Sequence, residues 1–179
     1  NQIAKGGPVT LTHRDMTRFV MSIQESVRLV IDSALLAKGG EVFITKMPVV
    51  RIEDLAKAMI SNLASKYGKS PDEIKIVEIG TKPGEKLYEE LMSDEETRRS
   101  LELEKYFSVT PAFKGIYSDI SYNYESLVSD EVTNPYVSAE VSSLSLTEVG
   151  ELLINYGLIN KPSDESTSRY WPGDKESTK

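Results

Sequence analysis

The chain has 179 residues, 39 % hydrophobic and 27 % charged, with a net charge of −7, one histidine and no cysteine. That composition suits one folded domain, and it excludes disulfides, thiolate metal sites and a histidine-rich metal centre. The acidic balance argues against a nucleic-acid partner, whose phosphates require a concentrated positive face. No apolar run is long enough to span a membrane and no basic-then-apolar leader precedes one, so a cytoplasmic location is expected.

In chain order, "PVTLT" (residues 8–12) is short and β-branched and reads as a strand. A helix over 22–37 follows. Ser22 and Glu25 have the spacing of a capping box, Ile23, Val27, Val30, Ile31, Ala34 and Leu35 form one apolar stripe, and Gly39–Gly40 supply the stop. "EVFIT" (41–45) reads as a buried strand, and 52–67 repeats the helical period through Ile52, Leu55, Ala56, Met59, Ile60 and Leu63 up to Gly68. "IKIVEIG" opens the next strand, over 74–79. The run "GTKPGEKLYEEL" then predicts a Pro-Gly turn and a short helix over 85–91, with Lys86, Glu89 and Glu90 on a solvated face. Ser93 and Glu96 cap a further turn, and "LELEKYFSVTP" (101–111) reads as a strand or extended arm. Between 115 and 143 the composition shifts to Ser, Tyr, Asn, Asp and Val, which predicts a loop-rich excursion with one short strand. A last helix over 145–156 is capped by Ser145 and Glu148 and buries Val149, Leu152, Leu153 and Tyr156. Residues 161–179 are polar and read as a disordered tail, with Tyr170 and Trp171 as its only large apolar groups.

The sequence has binding features but no catalytic set. Gly68-Lys69-Ser70 resembles the end of a phosphate-binding loop, but position 63 is leucine where that loop needs glycine. There is no G-x-G-x-x-G, no G-x-S-x-G elbow and no tyrosine four residues before a lysine, and His13 reads as a solvated side chain. Met16, Met47 and Met59 read as packing groups. The carboxylates show no metal-loop spacing, so no catalytic, cofactor or metal residue is assigned within the chain.

The segments "GGPVTLTHRDMTRFVMSIQESVRLVI", "GEVFITKMPVVRIEDLAKAMI" and "IVEIGTKPGEKLYEELMSDEE" together resemble the C-terminal half of CapD-like polysaccharide biosynthesis proteins. These are extended short-chain dehydrogenase/reductases that include UDP-N-acetylhexosamine 4,6-dehydratases and 4-epimerases. The resemblance is firm over 1–111, loose over 112–160 and absent beyond. It implies an α/β fold: the small substrate-binding portion of an extended short-chain dehydrogenase, over 1–160, without the full Rossmann sheet. It also implies that NAD(P) and the catalytic tyrosine and lysine belong to an N-terminal Rossmann half, expected ahead of Asn1. Neither tight NAD(P) binding nor turnover by this chain alone is expected.

By the same resemblance Arg18 of "MTRF" and Lys82 of "KPGE" would clamp the diphosphate of a UDP-sugar, while Glu85 would reach the ribose hydroxyls. The chemistry suits that task, since charge-assisted contacts are strong hydrogen bonds and a carboxylate accepts from two vicinal hydroxyls. The family usually shows Arg-Pro-Gly-Glu-Lys. Lys82 replaces the first arginine, and a lysine contact is less directional because it lacks the guanidinium fork. Two readings stand at this point: the substrate-binding portion of a nucleotide-sugar dehydratase or epimerase, or a free-standing, non-catalytic interaction module derived from it. In the first, the chain's partners are a UDP-sugar and the Rossmann half or an oligomer partner, and the surface meant for that half leads to association or to partial disorder over 112–143.

Overall fold

The computed structural model describes residues 1–113 and 115–159. The tail expected over 161–179, with Tyr170 and Trp171, lies outside the described residues. In chain order the elements are β1 (Val9–Leu11), β2 (Thr17–Phe19), α1 (Ile23–Leu36), β3 (Val42–Thr45), β4 (Val49–Arg51), α2 (Ile52–Leu63) and β5 (Ile76–Glu78). They continue with β6 (Glu90–Met92), α3 (Asp94–Thr97), β7 (Ser100–Leu103), β8 (Tyr106–Val109), β9 (Leu127–Ser129), β10 (Tyr136–Val137) and α4 (Leu146–Asn155).

Capping chemistry sets the helices. The Ser22–Glu25 and Ser145–Glu148 boxes form in both directions at α1 and α4, and Ser93–Glu96 does the same for the single turn of α3. Helix α2 leaves β4 with no side-chain cap, and Glu53 and Asp54 in its first turn suit the positive end of its dipole. It ends earlier than its period suggests, passing through a 3₁₀ turn at Ser65–Tyr67 to Gly68 in the left-handed region.

The strands form one four-stranded antiparallel sheet, β3-β8-β7-β9, and three two-stranded pairs: β1-β5 parallel, β2-β4 antiparallel and β6-β10 antiparallel. This is a partial α/β arrangement in which the one parallel strand pair among the described residues, three residues long, aligns Val9 with Ile76 and Leu11 with Glu78. Ile60 and Ala64 pack beneath it with Ile3 and Ile74. Helices α2 and α4 share a second core of Val50, Ala58, Val149, Leu153 and Ile159.

Three expectations change. The helix over 85–91 does not form, and β6 takes the end of that run. Its amphipathic spacing loses to tertiary hydrogen bonds: Arg18 takes the carbonyls of Lys86 and Leu87, and Thr17 N–H also donates to Leu87 O, so those acceptors are unavailable to an i→i+4 ladder. The arm over 101–111 is a hairpin of β7 and β8, with Ser100 opposite Val109. The 115–143 excursion contains two strands instead of one, and it is anchored by phenols. Tyr122 donates to Gly39 O at 2.7 Å and Tyr124 to Glu41 Oε1 at 3.0 Å. Tyr136 Oη accepts from Met47 N–H at 2.8 Å and donates to Met47 O at 3.0 Å, while its ring stacks on Phe19 with centroids 4.6 Å apart.

The stripe on α1 has the expected residues but no cover among the described residues. No residue of α1 is buried, and Ile23 and Val30 are each 68 % exposed and Leu35 81 %. The opposite side of the helix, through Leu29 and Leu36, packs on Leu103, Tyr106 and Tyr124.

Candidate substrate-binding site

Because β1 and β5 are parallel, their C-terminal ends open on the same side, the position where α/β proteins usually place ligands. Thr12 leaves the end of β1, and Ile79 N–H donates to Leu11 O before the chain turns at Gly80, whose φ is +84°. Pro83 and Gly84 then form a turn, with Gly84 at φ +83°, a backbone conformation that glycine adopts without the penalty a Cβ would bring. The turn is closed twice: Glu85 N–H donates to Lys82 O at 3.0 Å, and Lys82 N–H donates to Glu85 Oε2 at 3.1 Å. The other carboxylate oxygen of Glu85 accepts from the Thr12 hydroxyl at 3.0 Å, which ties the turn to the end of β1. Those contacts hold the Glu85 carboxyl below its usual range. The Lys82 N–H contributes most; desolvation opposes it as the next largest effect, and the Thr12 hydroxyl and the positive charges of Lys82 and Arg18 lower it further.

Arg18 sits in the middle of β2, opposite Val50. Its guanidinium reaches across to the same loop. Nη1 donates to Thr17 O at 2.7 Å and to Leu87 O at 3.3 Å, Nη2 donates to Lys86 O at 2.7 Å, and Nε lies 3.6 Å from Glu89 Oε1. The three residues named from sequence therefore converge on one loop: Glu85 and Lys82 form its turn, Arg18 spans its far side, and the Lys82 side chain is exposed.

Sequence reasoning missed the groups that hold this loop in place. Glu89, assigned to a solvated helix face, instead accepts from Phe19 N–H at 3.2 Å and faces Arg18. Ser138 is fully buried; its hydroxyl lies 2.9 Å from Thr17 Oγ1 and accepts from Glu89 N–H at 2.9 Å, while its own N–H donates to Glu89 O at 2.8 Å. Ser138 stands 121 residues from Thr17, so no local pattern could have revealed the contact. Nearby, Arg14 pairs with Glu53 and lies 3.4 Å from Glu78, pinning α2 to β5 beside the site.

The turn after β5 does not have the form of a dinucleotide site. Such a site needs a glycine-rich turn running from a parallel strand into a helix N-terminus, whereas Gly80 leads from β5 through Pro83-Gly84 into β6. Among the described residues no helix is long and apolar enough to cross a membrane, and no group of three or more acidic or histidine side chains could hold a metal ion.

Residues 1–111 match the polysaccharide biosynthesis protein family. The chain belongs to that family. Within it, the chain is 61 % identical over 110 residues to an uncharacterized membrane protein of Methanocaldococcus jannaschii, covering 62 % of this chain and 33 % of that one. It is 48 % identical over 108 residues to the capsular polysaccharide biosynthesis protein CapD of Staphylococcus aureus, covering 60 % of this chain and 17 % of that one. A UDP-glucose 4-epimerase of Rickettsia bellii is 34 % identical over 161 residues, covering 90 % of this chain and 45 % of the epimerase. Among solved structures, Pen from Bacillus thuringiensis aligns over 89 % of this chain and 44 % of its own with a TM-score of 0.75 and 35 % identity. The chain is thus a portion of a CapD-like extended short-chain dehydrogenase/reductase, and it spans less than half the length of each of these relatives.

Proposed function

We propose that this chain is the UDP-sugar-binding portion of a nucleotide-sugar 4,6-dehydratase or 4-epimerase of surface polysaccharide biosynthesis, acting in the cytoplasm. The observation that carries the reading is the convergence of Arg18, Lys82 and Glu85 on one turn at the C-terminal ends of β1 and β5. Arg18 and Lys82 supply the positive charge that a diphosphate requires, and Glu85, held ionised, presents acceptor oxygens to a ribose diol. The family and its named epimerase relative support a nucleotide-sugar substrate.

NAD(P), which supplies hydride removal and return in this chemistry, is held in this reading by the Rossmann half and not by residues of this chain. Two features support such a partner half. A two-stranded parallel pair is an unusual end point for a sheet, since parallel sheets are ordinarily covered on both faces. The uncovered stripe on α1 is the kind of surface that marks an interface.

In the isolated chain the diphosphate keeps most of its water and its contacts are screened, so UDP binds at about millimolar affinity. NMR shift mapping with UDP tests the reading. Perturbations at Thr17–Phe19 and over 81–86 are expected, and Glu85→Ala, which also loosens the turn, weakens UDP more than 2′-deoxy-UDP. Perturbations confined elsewhere, or equal losses for both nucleotides, would overturn it.

A further inference from the structure

The four-stranded sheet ends on one side at β9, which pairs with β7 and has no strand on its outer edge among the described residues. Leu127 and Val128 of that strand are exposed, and β9 carries neither lysine nor proline, the residues that usually blunt such an edge. Beside it lies an open groove of about 510 Å³. Glu102, opposite Ser129 of β9, and Phe107, opposite Glu102 on β8, form its sheet side. Val132, Pro135, Tyr136 and Val141 complete an apolar floor. Apart from Glu102 and Phe107, the lining falls beyond residue 111, where the match to the family ends, and none of it belongs to the loop over 80–91.

Charge decides what such a groove accepts. Glu102 is already neutralised, because Lys46 Nζ donates to it at 2.7 Å and lies 5.2 Å from the centre of the Phe107 ring. Glu131 and Glu140 are exposed on the rim, and among the described residues neither carboxylate has an ion pair. Lys46 shows which group suits this surface: an ammonium on an alkyl stem, with its charge on a carboxylate and its body near a ring. We propose that this face docks an extended, basic segment of a partner protein, which adds a strand to the outer edge of β9 and sets lysine or arginine side chains on Glu131 and Glu140. Main-chain hydrogen bonds to the edge hold such a segment, and the groove selects its side chains. Because side chains alternate along a strand, basic residues two apart share the groove side. The net charge of −7 favours encounter with a basic partner. Nothing in this inference depends on the nucleotide reading.

The probe is the peptide acetyl-Val-Lys-Val-Arg-Val-Lys-amide, added to the isotope-labelled 179-residue chain without nucleotide. It is expected to shift the amides of β9 and of residues 131–141, and to bind more weakly as salt rises. The double variant Glu131→Gln with Glu140→Gln, which removes two exposed charges and no contact within the chain, is expected to bind about fivefold more weakly. Glu151→Gln, an exposed carboxylate on α4, should bind like the wild type. The same peptide N-methylated along its backbone keeps every charge and loses its strand donors, and at least about a tenfold loss is expected. The counterpart with glutamate in place of lysine and arginine should not bind. No binding of the basic peptide at millimolar concentration, wild-type affinity in the double variant, or shifts spread over other acidic surfaces would overturn the proposal. Undiminished binding of the N-methylated peptide would overturn the added strand.

Discussion

The uncovered face of α1 gives a sharp contrast between two apolar positions. Val30 is 68 % exposed, so Val30→Gln removes almost no buried surface, and glutamine is a slightly better helix former than valine. The expected change in unfolding free energy is within about 0.5 kcal/mol, of either sign. Leu103 is completely buried against Tyr106, Tyr124 and Phe43, and Leu29 and Leu36 reach it from the inner side of the same helix. Leu103→Ala loses the transfer free energy of the deleted atoms and leaves a cavity, a cost of about 2–5 kcal/mol. With a urea m-value of about 2 kcal/mol/M, that lowers the unfolding midpoint by about 1–2.5 M. Urea unfolding followed by far-UV circular dichroism reads both variants. Sedimentation velocity on the same samples should show self-association of the wild-type chain weakened by Val30→Gln. A midpoint shift for Val30→Gln as large as that for Leu103→Ala would refute the description of α1 as half unpartnered.

Two further outcomes follow from local geometry. The carboxyl of Glu85 is held below its usual range, so the turn it closes is fully formed above the ordinary carboxylate pKa and loosens as the pH falls through the lowered value. The Lys82 amide shift should therefore titrate below the ordinary glutamate range, and titration within or above that range would contradict the contact. Gly40 (φ +78°) and Gly84 (φ +83°) are both left-handed, but a Cβ at Gly40 would meet the Tyr117 ring at 2.8 Å and Pro111 at 2.9 Å, whereas at Gly84 nothing lies within 4 Å. Gly84→Ala should cost about 1–2 kcal/mol, from backbone strain alone. Gly40→Ala should cost clearly more, and equal thermal shifts for the two would refute the close approach.

What the sequence revealed and what it hid divide along the range of the interactions. Capping boxes act over three residues, and Ser22–Glu25, Ser93–Glu96 and Ser145–Glu148 all form where their spacing places them. Arg18, Lys82 and Glu85 stand out in the sequence as motifs, and the structure brings Arg18 of β2 against the loop that carries the other two. The conformation of that loop was not legible, because Leu87, Tyr88 and Leu91 have helical spacing, whereas Arg18, Thr17, Ser138 and the pairing with β10, all distant in sequence, draw the backbone out to form β6. The same holds for β9 and β10, whose polar, tyrosine-rich surroundings carry no periodic signal and are fixed instead by phenol contacts to β3 and its flanks.

The Tyr136 hydroxyl carries one consequence for how substitutions distribute. It satisfies both the N–H and the C=O of residue 47, two main-chain groups that every residue but proline offers. Position 47 is therefore interchangeable as far as this contact goes, with proline alone barred for want of an N–H. Position 136 has no such latitude: phenylalanine would fill the same space between Phe19 and Phe107 and strand two main-chain groups at once. A constraint that belongs to the backbone of one residue is thus recorded in the identity of another, 89 positions away.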